Sequence, residues 1–388
     1  LYMKITNTLQ SGINLNNLSI AIKQIQAFLI ALLVILSMIL IPWEGANAAP
    51  VTGPIKWHPG HYYTILNFGR DKAWYMDDVY RELASTPAIQ GIQVRFLWAD
   101  IEKTEGVYDF KVIDQLLAGL SSRGKRLVLQ VQTKSFNPDW KLVPDYLKTA
   151  KYEGGQFPFS TWGSKVHKGH NIKLWNPGVR DRLIALFAAL GKRYNSHPYF
   201  EGIGMIESAL GQPISPLTNA QQDGFYTNML TVHERMRVQF PNTMTIQEMN
   251  YPRDILEKSV AKFKQLGTAL GCPDVAPQEP GLLFEGSKYS PQGVYQHYRE
   301  LSGIIPLAPT VEIINYENTR VDGTGHKPTI SELLTFARDQ LKANYIFWIR
   351  SPEHYRQVLE TLNFTQNRST PSGGLNPACP STFASCVK

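Results

Sequence analysis

Two kinds of segment alternate eight times between residues 62 and 362 of this 388-residue chain. The first kind is short, apolar and typical of β-strands, and it covers residues 62–68, 91–97, 126–132, 202–207, 243–249, 281–284, 310–315 and 344–349. The second kind is longer and has helical spacing, over residues 73–85, 110–123, 177–196, 219–240, 252–270, 291–304, 330–342 and 353–362. Eight strand–helix units predict a (β/α)8 TIM barrel.

A doubly wound open sheet is the alternative fold for alternating strands and helices. Such a sheet normally carries a glycine-rich phosphate-binding turn after its first strand. In this chain the first predicted strand runs into Asn67-Phe68-Gly69-Arg70, which is not such a turn. The closed barrel is therefore the better prediction.

The composition is that of a folded globular protein, with 43% hydrophobic and 18% charged residues. The formal net charge of +7 is small for this length, and it argues against a dedicated nucleic-acid-binding protein. Three cysteines are too few for a disulfide framework, although Cys379 and Cys386 could close a small loop and leave Cys272 as a buried thiol. Because no cluster of cysteine and histidine has metal-ligand spacing, we expect no metal, and we expect no organic cofactor.

The first 48 residues have the pattern of a secretory signal peptide. Lys4 and Lys23 precede an apolar run over residues 27–43, and Ala46 and Ala48 are the small residues of a cleavage site. An uncleaved membrane anchor is the alternative, since the run is near the lower limit for a membrane span. We expect a secreted or periplasmic protein that meets the membrane only through this signal. Residues 49–363 then form the catalytic barrel, and residues 364–388 form a Ser/Pro-rich tail that we expect to be peripheral.

The longest predicted loop, over residues 133–176, follows the third strand and is rich in aromatic residues. In a barrel it lies on the catalytic face, where loops of this length are usually functional. Exposed aromatic rings there would suit the flat faces of sugars, although we expect most of them to pack the loop onto the barrel. The aromatic residues are Phe136, Trp140, Tyr146, Tyr152, Phe157, Phe159, Trp162 and Trp175.

Two glutamates stand at the ends of apolar strand segments, which is where a barrel carries its reactive side chains. Glu207 ends the run Ile203-Gly204-Met205-Ile206, and Glu312 lies within residues 310–314. Burying a carboxylate in such surroundings is costly unless it is paired or hydrogen-bonded, so we expect both to be functional. Arg95 on the second strand could supply a cation, and a pair of structural salt bridges is the alternative. Two carboxylates that flank a glycosidic bond suffice for its hydrolysis.

The strongest family signal follows the second strand and reads Trp98-x-x-Ile101-Glu102-x-x-Glu105-Gly106-x-Tyr108-Asp109-Phe110. This motif resembles the second-strand signature of the clan A glycoside hydrolases, which are retaining (β/α)8 enzymes that include cellulases, mannanases and β-galactosidases. Segments 137–140, 174–177 and 194–207 fit the same pattern.

The resemblance implies that Glu207 is the acid/base and Glu312 the nucleophile. It also implies that Arg95 steadies the nucleophile, that Trp348 forms the floor of the subsite for the cleaved sugar, and that Tyr289 matches the tyrosine that touches the nucleophile. Three more residues at the same ends of the strands are candidates for substrate binding, as is Trp140 in the long loop. The three are Trp98, Glu248 and Asn250.

The chain departs from the clan pattern at one position and is ambiguous at another. Ile206 stands where the clan usually has an asparagine that binds the sugar 2-hydroxyl, and Gln247, Glu248 and Asn250 are candidates to replace it. A shift in the seventh strand would promote another glutamate to nucleophile. The reserves, in order, are Glu317, Glu285 and Glu248.

The sequence thus predicts a secreted glycoside hydrolase that cleaves a poly- or oligosaccharide by a retaining two-carboxylate mechanism. It predicts no nucleic-acid partner. Two other functions stay open at this point. The Ile206 departure suggests a barrel that binds carbohydrate without cleaving it. The mildly basic charge suggests a lyase or transglycosidase that acts on a charged polymer.

Overall fold

The computed structural model describes residues 51–161, 163–286, 291–364, 367 and 369–388. Within these residues eight parallel strands close into a barrel, each paired with the next and the eighth with the first. This arrangement confirms the predicted (β/α)8 barrel. The strands are β1 (Gly60–Ile65), β2 (Ile89–Leu97), β3 (Arg126–Gln132), β4 (Phe200–Met205), β5 (Met244–Glu248), β6 (Ala269–Cys272), β7 (Leu307–Val311) and β8 (Tyr345–Ile349).

A helix of the described chain follows each barrel strand, and the sequence explains where several of them begin. Asn176 caps the third helix by accepting from the Val179 N–H, and Pro177 occupies its first turn. Thr218 and Gln221 form a capping box at the fourth. The helices are α1 (Ala73–Ser85), α2 (Lys111–Ser121), α3 (Pro177–Tyr194), α4 (Asn219–Gln239), α5 (Leu256–Leu266), α6 (Val294–Leu301), α7 (Ile330–Thr335, continued as a π-helix over Phe336–Gln340) and α8 (Tyr355–Asn363).

The predicted sixth strand was wrong. Residues 281–283 belong to a short helix, Pro280–Leu283, and β6 begins within the last two residues of the segment that was predicted as one helix over 252–270. Gly267 ends α5 in the left-handed conformation, with φ of 62°, and the strand begins two residues later. The strand sequence, Ala-Leu-Gly-Cys, contains no β-branched or aromatic residue, so its local preference for a strand is weak.

The strand side chains alternate between two apolar layers. One layer lies between the barrel and the helices and includes Val94, Leu129 and Trp348. The other joins Val128, Ile246 and Phe347 from the opposite strand faces to residues of the chain termini. Both layers consist of fully buried side chains, which is why these strands read as near-continuous apolar runs.

The C-terminal segment packs against the barrel instead of lying peripherally. Strand Phe383–Val387 pairs in parallel with strand Val51–Lys56, and Phe383 is buried. A disulfide joins Cys379 to Cys386 and Cys272 is a buried free thiol, both as predicted. The predicted signal peptide, residues 1–48, lies outside the described residues.

The long loop after β3 builds a small antiparallel sheet over one side of the barrel mouth. Its strands are Lys134–Ser135, Gln156–Ser160 and His167–Ile172, joined by Gln212–Pro213 from the loop after β4. Two 3₁₀ turns, Asp145–Lys148 and Ala150–Tyr152, lie between the first of these strands and the second. Most of the loop's described aromatic rings pack inward, whereas Phe136 and Trp140 are exposed; Trp162 lies outside the described residues. Across the described part of the chain, no helix has both the length and the apolar character needed to span a membrane.

Candidate active site

Glu207 lies two residues past the end of β4, and side chains from both neighbouring strands hold its carboxylate. Lys134, which follows β3, donates from Nζ to Oε1 at 2.6 Å. Asn250, which follows β5, donates from Nδ2 to Oε2 at 2.7 Å. Lys134 is itself buried against the rings of Phe136 and Phe159. Both carboxylate oxygens therefore have fixed partners, while 12% of the Glu207 side chain faces the open mouth.

Asn250 is the amide that adjoins Glu207. Its Oδ1 accepts from the backbone N–H groups of Tyr251 at 2.8 Å and Ala209 at 3.2 Å, so its NH₂ group must point toward the carboxylate. Gln247, another candidate to replace the missing asparagine, is buried and donates to the Ile206 carbonyl. Of the amides considered from the sequence, Asn250 is therefore the one beside the predicted acid/base.

Glu312 begins the turn that follows β7. The strand ends at Val311, and Glu312 caps the short helix Ile313–Glu317. Arg95 donates from Nη2 to Glu312 Oε1 at 2.6 Å, and Asn315 accepts from the Glu312 backbone N–H at 2.8 Å. Arg95 therefore holds the carboxylate and Asn315 holds the backbone of Glu312, while 25% of the side chain is exposed.

Arg95 links the two predicted catalytic carboxylates electrostatically. Its Nε donates to Gln130 at 2.8 Å, which fixes the plane of the guanidinium. Burial alone lowers the pKa of Arg95, but the negative charges of Glu312, Glu248 and Glu207 outweigh it and raise that pKa above its ordinary value. Glu207 and Glu312, which are far apart in sequence, are thus brought to one mouth of the barrel.

Glu248 lies beneath this pair and is shielded from solvent. Its Oε1 accepts from the Thr310 hydroxyl at 2.8 Å and lies 3.8 Å from Arg95 Nη2. Its Oε2 has no hydrogen-bond partner among the described residues. Burial raises the pKa of Glu248, and Arg95 opposes that shift. Glu248, which was predicted to bind substrate, is therefore buried beside Arg95 and is not exposed at the mouth.

Asp274 is a further carboxylate of the mouth that the sequence reasoning missed. It lies two residues past the end of β6, partly buried, and its Oδ1 accepts from Asn315 Nδ2 at 3.0 Å. Burial raises its pKa, the hydrogen bond from Asn315 opposes that shift, and the charges of Glu312, Glu207 and Glu248 add to it, so that the pKa reaches about 7. It was missed because β6 was placed at residues 281–284. The signal that could have found it is Gly267, which ends α5 and frees residues 269–272 for a strand.

The other two reserve nucleophiles, Glu317 and Glu285, do not contact Arg95. Glu317 is half exposed at the end of its short helix and contacts Lys327 at 2.9 Å and His354 at 2.8 Å. Glu285 is exposed and, because 281–284 is not a strand, it does not follow a strand end. Tyr289 lies outside the described residues.

Two tryptophans that were predicted to bind substrate are instead buried in the apolar layer behind the barrel wall. Trp348 is fully buried and donates to His61 Nδ1 at 3.1 Å, because the strand register turns Phe347, not Trp348, toward the barrel interior. Trp98 is fully buried in the short helix Trp98–Ile101 and donates to Glu102 at 2.8 Å. Trp140, with 37% of its surface exposed, stays a candidate.

The sequence is similar to that of a known glycoside hydrolase family. The sequence model of glycoside hydrolase family 42, described as β-galactosidase, matches residues 77–207. The predicted resemblance to the glycoside hydrolases is confirmed. The matched segment runs from α1 to Glu207 and contains Arg95, so the similarity to this family covers the first half of the barrel, up to the predicted acid/base. No curated protein sequence matches the chain.

Solved structures share the fold of this chain at low sequence identity. The β-galactosidase from Bacillus circulans sp. alkalophilus superposes with a TM-score of 0.53 at 12% identity, over 76% of this chain and 50% of that one. The β-galactosidase from Rahnella sp. R3 gives a TM-score of 0.52 at 12% identity, over 84% and 58%. The catalytic domain of β-amylase from Paenibacillus polymyxa gives 0.50 at 9% identity, over 83% and 96%. The chain therefore spans little more than half of these β-galactosidases.

Proposed function

We propose that this chain is a retaining glycoside hydrolase. Glu207 donates a proton to the glycosidic oxygen while Glu312 attacks the anomeric carbon and forms a glycosyl-enzyme. Glu207 then takes a proton from water, which releases the sugar and restores both carboxyl groups. The observation that carries this proposal is the placement of Glu207 and Glu312 after β4 and β7, at one mouth, each within 2.6 Å of a buried cation.

The cations have different tasks in this mechanism. Arg95 orients the Glu312 carboxylate for attack, because its own plane is fixed by Gln130. Glu207 becomes negatively charged when it gives up its proton, and Lys134 stabilises that charge in a partly buried site. Asn250 holds the second oxygen of Glu207, which limits rotation of the carboxyl group.

We further propose a β-linked galactoside within a poly- or oligosaccharide as the substrate. The support is the description of the family that matches residues 77–207. The exposed ring of Phe136, whose neighbour Lys134 binds Glu207, provides a flat apolar surface for a sugar residue next to the cleaved bond. An aryl β-galactoside is therefore the first substrate to test.

The experiment is hydrolysis of an aryl β-galactoside followed by proton NMR from the first turnover. The first product is expected to be the β-anomer, which mutarotates later. Glu207→Gln and Glu312→Gln are expected to abolish turnover, whereas the matched control Glu317→Gln keeps it. An α-anomer as first product would overturn the retaining mechanism, and full activity of Glu312→Gln would overturn the nucleophile. Sugar binding without turnover across a glycan panel would instead support the binding barrel suggested by Ile206.

We also propose that the protein is exported. The support is the signal-like pattern of residues 1–48 and the disulfide between Cys379 and Cys386, since disulfides persist in oxidising compartments. N-terminal sequencing of protein recovered outside the cytoplasm is expected to begin at Ala49. A protein that starts upstream of residue 27 would contradict cleavage.

A further inference from the structure

The side chain of Asn315 connects the loop after β6 to the backbone of Glu312. Its Oδ1 accepts from the N–H of Glu312 at 2.8 Å and from the N–H of Val275 at 3.0 Å. Because two N–H groups occupy this oxygen, the NH₂ group must point the other way, where it donates to Asp274 Oδ1 at 3.0 Å. Asn315 is almost fully buried, so water does not compete for these bonds.

The loop that carries Asp274 is itself anchored. The hydroxyl of Tyr295, on α6, donates to the Asp274 carbonyl at 3.0 Å and accepts from the Ala276 N–H at 2.9 Å. Tyr295 is buried in the layer between the barrel and the helices. Asp274 therefore has a fixed backbone, and its carboxyl group is a rigid acceptor for Asn315.

We propose that Asp274 is a positioning residue for the nucleophile: by holding Asn315 it fixes the backbone of Glu312, and with it the direction of the attacking carboxylate. This inference rests on the proposed function of Glu312. Arg95 holds the carboxylate of Glu312 and Asn315 holds its backbone, so the carboxylate keeps the geometry that in-line attack requires. Small misplacements of reacting groups lower the rate of attack strongly.

The charges around Asp274 favour this role over that of a second nucleophile. Carboxylates face it from β4, β5 and β7, namely Glu207, Glu248 and Glu312, and each raises its pKa further. The Cys272 thiol and the hydroxyls of Tyr251 and Tyr295 lie close enough to feel its charge. With burial as the main cause, the pKa of Asp274 reaches about 7, so the group is largely neutral in mildly acidic solution. A neutral carboxyl group still accepts from Asn315 but is a poor nucleophile.

The test measures the nucleophile directly, with 2,4-dinitrophenyl 2-deoxy-2-fluoro-β-galactoside as the probe. This compound traps the glycosyl-enzyme, so the rate of labelling reports the attack and peptide mass locates the label. Labelling of Asp274→Ala at pH 6 is expected to be about 10- to 100-fold slower than that of the wild type. Asp274→Asn, which keeps a neutral acceptor, is expected to label within about threefold of the wild-type rate, as rescue by a conservative variant requires.

A double variant shows whether Asp274 and Asn315 act on Glu312 through one chain of contacts or independently of each other. Asn315→Ala is expected to slow labelling about as much as Asp274→Ala, and the double variant to be no slower than the slower single variant. Asp274→Ser, whose hydroxyl is too short to reach Asn315, replaces the alanine variant if that protein does not fold.

The outcomes test the positioning role and the proposed function separately. Wild-type rates of labelling in Asp274→Ala, an equally slow Asp274→Asn, or additive defects in the double variant would overturn the positioning role while leaving the nucleophile in place. A wild-type enzyme that hydrolyses galactosides but carries no label on Glu312 would overturn the proposed function, and the positioning role with it.

Discussion

The Lys134 ammonium lies 2.6 Å from Oε1 of Glu207 at the mouth of the barrel, and the lysine side chain is almost fully buried. Lys134 also donates to the Ala209 carbonyl at 2.8 Å, so its position is fixed by the loop that follows Glu207. A cation held in this way is already oriented before the reaction, and it does not have to reorganise when charge develops on Glu207. The pair therefore joins the predicted acid/base to a lysine that the sequence reasoning did not single out.

We predict that Lys134→Met lowers kcat about 100-fold, because the charge that Glu207 acquires on protonating the leaving group loses its nearest cation. KM is expected to change little, since Lys134 acts on the reaction and not on the sugar. Steady-state kinetics with an aryl galactoside measure both constants. The matched control is Lys148→Met, an exposed lysine of the same loop that pairs with Asp145, and it should keep the wild-type kcat. A Lys134→Met enzyme as fast as this control would contradict the assigned role.

A second prediction concerns the guanidinium of Arg95, which binds Gln130 through Nε and Glu312 through Nη2. Arg95→Lys keeps the charge but offers one ammonium, which cannot reach both partners. We expect kcat to fall at least about 100-fold, together with slower labelling of Glu312 by the fluorinated probe. Arg95→Met is expected also to lose about 3 kcal/mol or more of unfolding free energy, because the buried Glu248 then has no cation beside it.

Denaturant unfolding distinguishes these two effects of Arg95. Arg95→Lys should unfold close to the wild type while remaining slow, and the added change Glu248→Gln should restore stability to Arg95→Met by removing the buried charge. An Arg95→Met variant as stable as the wild type would show that Glu248 does not depend on this cation.

Much of the fold follows from local sequence pattern, and the errors have identifiable physical causes. α1 and β3 have the predicted bounds because their patterns of apolar residues are unambiguous. β6 was missed because four small or weakly strand-forming residues next to a helix give no local signal, although the closed sheet pairs them on both sides. One misplaced strand then hid Asp274, which occupies the same position past β6 that Glu207 occupies past β4.

The site was less predictable than the fold because its contacts join neighbouring loops. Glu207 and Glu312 could be proposed from their places at strand ends, but the partners of Glu207 depend on how far the adjacent loops reach. Lys134 gave no signal in the sequence, since it lies in a long loop among other polar residues. The burial of Trp348 could not be predicted because β8 is buried on both faces, so a period of two cannot tell its inner face from its outer one.

The buried position of Trp348 leads to a prediction that differs from the family expectation. Trp348→Phe is expected to leave KM and kcat for a galactoside within about twofold of the wild type, because the side chain faces the helices. It should lower the free energy of unfolding by about 1–2 kcal/mol, through the lost bond to His61 and the smaller ring. A tenfold rise in KM with unchanged stability would place this tryptophan in the sugar site after all. Trp140→Ala is the comparison, since that ring is exposed.

The raised pKa of Asp274 predicts how stability depends on pH. In the unfolded chain this carboxyl titrates near its ordinary value of 3.8, whereas in the folded protein it titrates near 7. Between these values the folded state holds one more proton than the unfolded state, so stability falls as pH rises, by at most about 1.4 kcal/mol per pH unit, and the slope vanishes above about pH 7.

The variant Asp274→Asn cannot ionise at this position, so it does not lose stability in this way as the pH rises. Denaturant unfolding of both proteins between pH 4.5 and 8 should therefore show the variant gaining on the wild type up to about pH 7 and keeping a constant lead beyond it. A difference between the two proteins that does not change with pH would mean that Asp274 is ionised throughout, and that its neutral form has no part in holding Asn315.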